Sequence, residues 1–129
     1  MTIDSKLVEL QDTLYTSRNP TRRWLHCLRR DWILSQIASS ASPNGTSLEV
    51  GPGSGLYLRP LAEVSDRVLA SDIDDSYLAR ARDIASSDIN ISCVSDDITR
   101  SELEESSFDL VLCTEVIEHI ADSKVALQE

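Results

Sequence analysis

Four short apolar runs, each followed by a turn or a helix-forming stretch, limit what this chain can fold into. Residues 46–50 (TSLEV), 67–72 (RVLASD), 89–94 (INISCV) and 108–113 (FDLVLC) have the length and β-branched content of buried strands. Between them, residues 56–64 (LYLRPLAEV) and 74–85 (DDSYLARARDIA) carry helical spacing, residues 95–107 form a polar connection, and a further helix is expected near 116–120 (VIEHI). Strands alternating with helices require crossover connections, which are right-handed and give a parallel sheet. The expected fold class is therefore α/β, a Rossmann-like doubly wound parallel sheet. That pattern ordinarily continues past four strands, so a sheet incomplete at the C-terminus is expected, with the fourth strand left as an edge.

In an open parallel sheet, ligands sit beyond the carboxyl ends of the strands. Acidic residues recur there: Glu49 at the end of the first strand, Asp72 at the second, Asp97 after the third and Glu115 after the fourth. The first strand also runs into a glycine turn, LEVGPGSGLYL, with Gly51, Gly53 and Gly55 spaced G-x-G-x-G. Dinucleotide folds favour G-x-G-x-x-G and place a pyrophosphate at the helix N-terminus. Here the spacing differs, Pro52 removes a backbone donor, and Glu49 would repel a pyrophosphate. A ligand carrying an ammonium and a sulfonium suits that turn better.

Ahead of this core, a helical pattern with Leu7, Leu10 and Leu14 is capped by Asp4 or Ser5, and a second helix runs from about Pro20 to Ala41. Residues 39–46 (SSASPNGT) read as a loop. The expected organisation is an N-terminal helical extension, 1–44, and a core, 45–129. Within the second helix Trp24, Leu25, Leu28 and Trp32 share one arc, and Arg22, Arg23, Arg29 and Arg30 lie opposite. Those arginines are either a solvated helix face or a cap over a ligand site that could hold an acidic substrate.

The extension holds six Lys/Arg against four Asp/Glu, the core six against eighteen, for a net charge of −10. So acidic a core is poorly suited to gripping a phosphate backbone, and no nucleic-acid partner is expected. No apolar run approaches a membrane span, and the N-terminus lacks the order of a signal peptide, so the cytoplasm is expected. Cys27, Cys93 and Cys113 are scattered, as buried apolar fillers are, and no cysteine–histidine spacing points to a metal.

With these motifs in place, residues 46–129 resemble the class I S-adenosylmethionine-dependent methyltransferases. LEVGPGSG is similar to their first motif, VLASDIDDSYLARAR to the second, CVSDDI to the third-strand acid, and SSFDLVLCTEVIEHI to the fourth-strand segment of the small-molecule branch, as in the ubiquinone-biosynthesis relatives. The resemblance implies S-adenosylmethionine as cofactor and a small-molecule methyl acceptor. Gly51, Gly53 and Gly55 would then let the backbone approach the methionine end, which Glu49 orients through the amino group or the turn itself. Asp72 would accept the ribose hydroxyls, Ile73 would pack on the adenine, Asp97 would accept from its amine, and the Ile98 N–H would face a ring nitrogen.

Each of these residues also has a plainer reading. Asp72 could cap the helix that follows it. Asp96 competes with Asp97; the family's acid precedes a small or apolar residue, which favours Asp97. Glu115, with Thr114, could line the methyl-transfer pocket or serve structure alone. His119 could act as a general base, since imidazole titrates near neutrality, or could simply begin a helix on the sheet; His26 is a lesser candidate. Two other functions remain compatible with the residues: a non-catalytic module of the same fold, and a nicotinamide-dependent oxidoreductase, against which the glycine spacing and Glu49 both count.

Overall fold

The computed structural model describes residue 9, residues 13–40 and residues 42–129. Most of the first expected helix, with Leu7 and Leu10, lies outside the described residues. The described chain begins with a turn and helix α1 (Pro20–Ser39). The Asn19 side chain accepts from the backbone N–H groups of Thr21 and Arg22, and Pro20 occupies the first turn, where its missing donor costs nothing.

Strand β1 (Ser42–Val50) follows, then α2 (Leu58–Val64), β2 (Ser65–Asp72), a 3₁₀ turn (Asp75–Leu78), α3 (Ala79–Ala85), β3 (Ile91–Ser95), β4 (Leu110–Cys113), a second 3₁₀ turn (Ile117–His119) and α4 (Ser123–Gln128). All pairings are parallel, in the order β3-β2-β1-β4. The expected α/β class is observed. The switch point falls between β1 and β4, because the chain leaves β3 at one edge and returns on the far side of β1.

Two expectations about elements need correction. Residues 42–45 are strand, not loop: Ser42 pairs with Ser65, and the register then slips before Thr46 pairs with Arg67. Pro43, Asn44 and Gly45 form the irregular part, and a Cβ on Gly45 would meet Ser42 Oγ and Asp109 Oδ2. After β4 the helix expected near 116–120 is only a 3₁₀ turn; α4 starts at Ser123, where Asp122 accepts from the Val125 N–H.

The in-register pairs put Ser47, Glu49, Val68, Ala70, Ile91, Cys93, Leu110 and Leu112 on one sheet face. Helices α1 to α3 cover that face. Val68, Ala70 and Ile91 pack with Leu58 and Leu61 of α2, Ala81 and Ile84 of α3, and Ile33 and Ile37 of α1. The opposite face, with Leu48, Val50 and Val111, borders an open groove of about 800 Å³ shared with Ile98, Phe108 and Leu127. The three cysteines are free and half-buried, not fully buried as expected.

Helix α1 keeps Arg22 and Arg23 exposed, as a solvated face would, but half-buries Arg29 and Arg30 and turns the expected apolar arc outward. Trp24 and Trp32 are 61% and 63% exposed, and Leu25 and Leu28 are exposed as well. Arg29, Ile33 and Ile37, spaced by four, run along the inner face, with both isoleucines buried. No helix among the described residues is long and apolar enough to cross a membrane.

Candidate functional site

Parallel pairing carries every strand's carboxyl end to one edge. Val50 lies beside Ser71 and Cys113, and Asp72 lies beside Ser95. Glu49, the glycine turn, Asp72, Ile73, Asp97, Ile98 and Glu115 are thereby brought to the same edge. The β2–β3 ladder runs one bond past the strands there, with the Asp96 N–H donating to the Asp72 carbonyl at 2.9 Å.

The turn after β1 is built from left-handed backbone: φ is +66° at Gly51, +52° at Gly53 and +75° at Gly55. Side chains are excluded for a second reason at two of these positions. A Cβ on Gly51 would lie 2.4 Å from Val116 Cγ2 and 3.9 Å from Asp72 Oδ2. A Cβ on Gly55 would lie 2.4 Å from Ile84 Cδ1. Gly55 thus lets α3 close on the turn, and Gly51 lets Val116, after β4, close on it from the other side. The Gly51 N–H donates to the Ser71 carbonyl and the Gly55 N–H to the Pro52 carbonyl, each at 2.8 Å.

Glu49 is the most unusual side chain of the edge. It points into the apolar, helix-covered face and is 1% exposed, and its Oε2 has no hydrogen-bond partner among the described residues. Burial pushes its carboxyl up to about 8, so near neutral pH it is largely protonated. Tyr57, two residues past the turn, is also buried, and burial raises its phenol above the ordinary range. Its hydroxyl faces Tyr15 outside hydrogen-bonding geometry and feels both Arg29 and Glu49. Arg29 contributes a third such atom, its buried Nε. Buried polar atoms without partners are rare in folded proteins, and three within one electrostatic neighbourhood mark a place where a polar ligand would complete the bonding.

On the outer side of that cluster, Arg29 Nη1 donates to Glu115 Oε1 at 2.5 Å, tying α1 to the turn after β4. That bond, reinforced by the Arg29 charge and by His26 and His119, holds the Glu115 carboxyl below its usual range. Glu115 is exposed, and His119 ends the 3₁₀ turn, exposed as well, not at the start of a helix on the sheet. Tyr15 packs edge-on against His26 and under the Arg30 guanidinium, closing the outer wall.

Along the other arm of the edge, Asp72 is half-buried, which raises its carboxyl; weak donation from the Asp74 N–H at 3.4 Å acts the other way. Ile73 is 66% exposed beside it. The helix-cap function belongs to Asp74, whose Oδ1 accepts from the Ser76 N–H. Asp96 spends both oxygens on its own loop, accepting from Ser101 Oγ and the Glu102 N–H. Asp97 uses Oδ1 for the Thr99 hydroxyl and N–H, which lowers its carboxyl, while Oδ2 faces only the exposed Arg100 at 3.3 Å. Among the described residues no group of three or more His, Cys, Asp or Glu could hold a metal ion.

The sequence pointed to the glycine turn and the acids but not to Tyr57. Its spacing is that of an apolar helix position, and nothing local signals an inward hydroxyl. Arg29 was one of four arginines with no feature to single it out.

A family model described as a methyltransferase domain matches residues 48–129. The chain is 37% identical over 78 residues to a ubiquinone biosynthesis O-methyltransferase of Sinorhizobium fredii, covering 58% of this chain and 31% of that one. It is 41% identical over 54 residues to a probable ribosomal RNA small subunit methyltransferase A of Pyrobaculum islandicum, covering 41% and 23% respectively. The chain thus spans about a third or less of these curated relatives' length. In fold it is similar to the N-methyltransferase NodS from Bradyrhizobium japonicum, solved with S-adenosyl-L-homocysteine, at a TM-score of 0.73 and 23% identity, covering 97% of this chain and 62% of that one.

Proposed function

The chain belongs to the methyltransferase domain family, and from that premise we propose that it binds S-adenosylmethionine along the carboxyl edge of its sheet and passes the methyl group to a small-molecule acceptor. The observation that carries the reading is Glu49, a buried acid with an idle oxygen beside a bare glycine turn. Such a group can give up its proton to pair with an ammonium, and offers a phosphate no such partner. The residues fit the ligand's other parts too. Arg29 Nε offers a donor to a carboxylate, Asp72 has two oxygens for vicinal hydroxyls, and exposed Ile73 offers an apolar surface to the base. Asp97, not Asp96, retains an oxygen for the adenine amine, since both Asp96 oxygens are committed within the loop. Backbone N–H groups near Ile98 complete that end.

When bound, the cofactor supplies a methyl already activated on a sulfonium. What remains for the chain is to hold that group in line with the acceptor and to keep water away. Where the acceptor must lose a proton, the exposed His119 is the candidate base. Glu115, held ionised by Arg29, is too weak a base in this arrangement.

Acceptor class follows from charge. The core's acidic excess supports a small molecule over nucleic acid, although one similar protein is named for ribosomal RNA. A second reading compatible with the same residues is a module that binds the cofactor without turnover. Calorimetric titration with S-adenosylhomocysteine tests the shared part. Binding is expected, and Asp72→Ala should weaken it by about 1–3 kcal/mol through loss of a charged acceptor. Absence of any heat or chemical-shift change with folded protein would refute the reading, and methyl transfer from labelled cofactor to an acceptor panel separates enzyme from module.

A further inference from the structure

The Arg29–Glu115 pair crosses the edge of the sheet where the strands end, and three features set it apart from an ordinary surface ion pair. Glu115 reaches Arg29 from left-handed backbone, φ +55°, a conformation that residues other than glycine seldom adopt. The guanidinium meets Glu115 through Nη1 on its outer side, while its Nε is buried without a partner. The other two unpartnered buried atoms, Glu49 Oε2 and the Tyr57 hydroxyl, belong to the same neighbourhood. A planar guanidinium with one side engaged by an exposed acid and an idle inner donor is shaped for a second carboxylate arriving from the glycine turn.

We propose that Glu115 is a placeholder on Arg29 for the carboxylate of the ligand's amino-acid end, and that ligand arrival exchanges one carboxylate for the other. This rests on the cofactor reading above. The exchange has a consequence for order of binding. While Glu115 holds Arg29, α1 is tied to the turn after β4; once Glu115 is displaced, that tie is lost. Seating the cofactor would thereby free the acceptor side of the edge from α1, favouring cofactor first. Both partners are well exposed, 39% and 44%, so the competition is modest, worth up to about five-fold in affinity.

The test compares S-adenosylhomocysteine with 5′-methylthioadenosine, which keeps the nucleoside and thioether but lacks the amino-acid end, on the 129-residue chain. Glu115→Gln should bind S-adenosylhomocysteine about three- to five-fold tighter than the parent and leave methylthioadenosine unchanged. Arg29→Ala should weaken the first ligand and spare the second. Glu115→Gly, which removes the acid and suits the positive φ, is read in the same way if the glutamine variant does not fold. Unchanged or weaker S-adenosylhomocysteine binding by the folded Glu115 variant overturns the exchange while leaving the cofactor reading intact. Equal tightening toward both ligands also overturns it. If the parent chain binds neither ligand, the cofactor reading fails and the exchange falls with it.

Discussion

Seating a ligand ammonium against Glu49 should expel a proton, and the amount can be worked out from the burial of that one carboxyl. In the free protein Glu49 titrates at about 8 because it is desolvated and its Oε2 is unpartnered. An adjacent cation returns the carboxyl toward its ordinary range, so the proton held by the free form is lost on binding. The expected release is about 1.0 proton per ligand at pH 6, about 0.9 at pH 7 and about 0.5 at pH 8. Ionising the group costs about 1.4 kcal/mol for each pH unit below 8, so affinity for S-adenosylhomocysteine should rise about tenfold from pH 6 to pH 7. Calorimetry in buffers of differing ionisation enthalpy reads the proton count directly. Glu49→Gln should abolish both the release and the pH slope. Proton release near zero in the parent, or equal release in the glutamine variant, would refute the argument and leave Glu49 to act on the turn alone.

The same carboxyl sets a pH dependence of stability in the free chain. Its folded value lies above its unfolded one, so the folded form keeps a proton that the unfolded chain gives up. The associated stability is fully present below about pH 4.5, declines as pH rises and is gone above about pH 8. Urea melts should show that decline in the parent, and Glu49→Gln should flatten it. Tyr57→Phe removes a buried hydroxyl without a partner, and should raise stability by about 1 kcal/mol in a thermal melt of the ligand-free chain. Gly55→Ala should cost about 1–2 kcal/mol, from the φ of +75° and the contact with Ile84, while Ile84→Val beside it should recover only the part due to crowding.

What could be read from the residues was whatever repeats with a fixed period or sits at a fixed offset from it. The four strands announced themselves through short apolar runs, and the parallel order followed from the helices between them. Once the strands were parallel, Glu49, Asp72, Asp97 and Glu115 had to share an edge, whatever the side chains did there. Element ends were less legible. The bulge at residues 42–45 pairs through Ser42 despite Pro43 and Gly45, and the turn after β4 stays 3₁₀ although VIEHI has helical spacing.

The orientation of α1 is the instructive failure. An amphipathic helix is ordinarily placed with its apolar arc inward, because water is assumed to lie on the polar side. In α1 the widest apolar arc, Trp24 to Trp32, faces out, and the helix is held by a narrower stripe in which Arg29 leads Ile33 and Ile37. That stripe runs from the hydrophobic core up to the carboxyl edge, so its upper end, still partly exposed, meets Glu115 and the field of Tyr57. On the proposed reading, polar periodicity there belongs to a ligand site as well as to solvent, and sequence spacing does not separate the two. A polar residue in register with buried isoleucines at i+4 and i+8 was the only local sign available. The same reasoning gives a check on α1: Arg29→Leu should extend the apolar stripe and leave the melt unchanged or higher, yet weaken S-adenosylhomocysteine binding. A large loss of stability instead would mean that the Glu115 bond holds the helix in place, and that the buried Nε is a structural defect with no ligand to meet it.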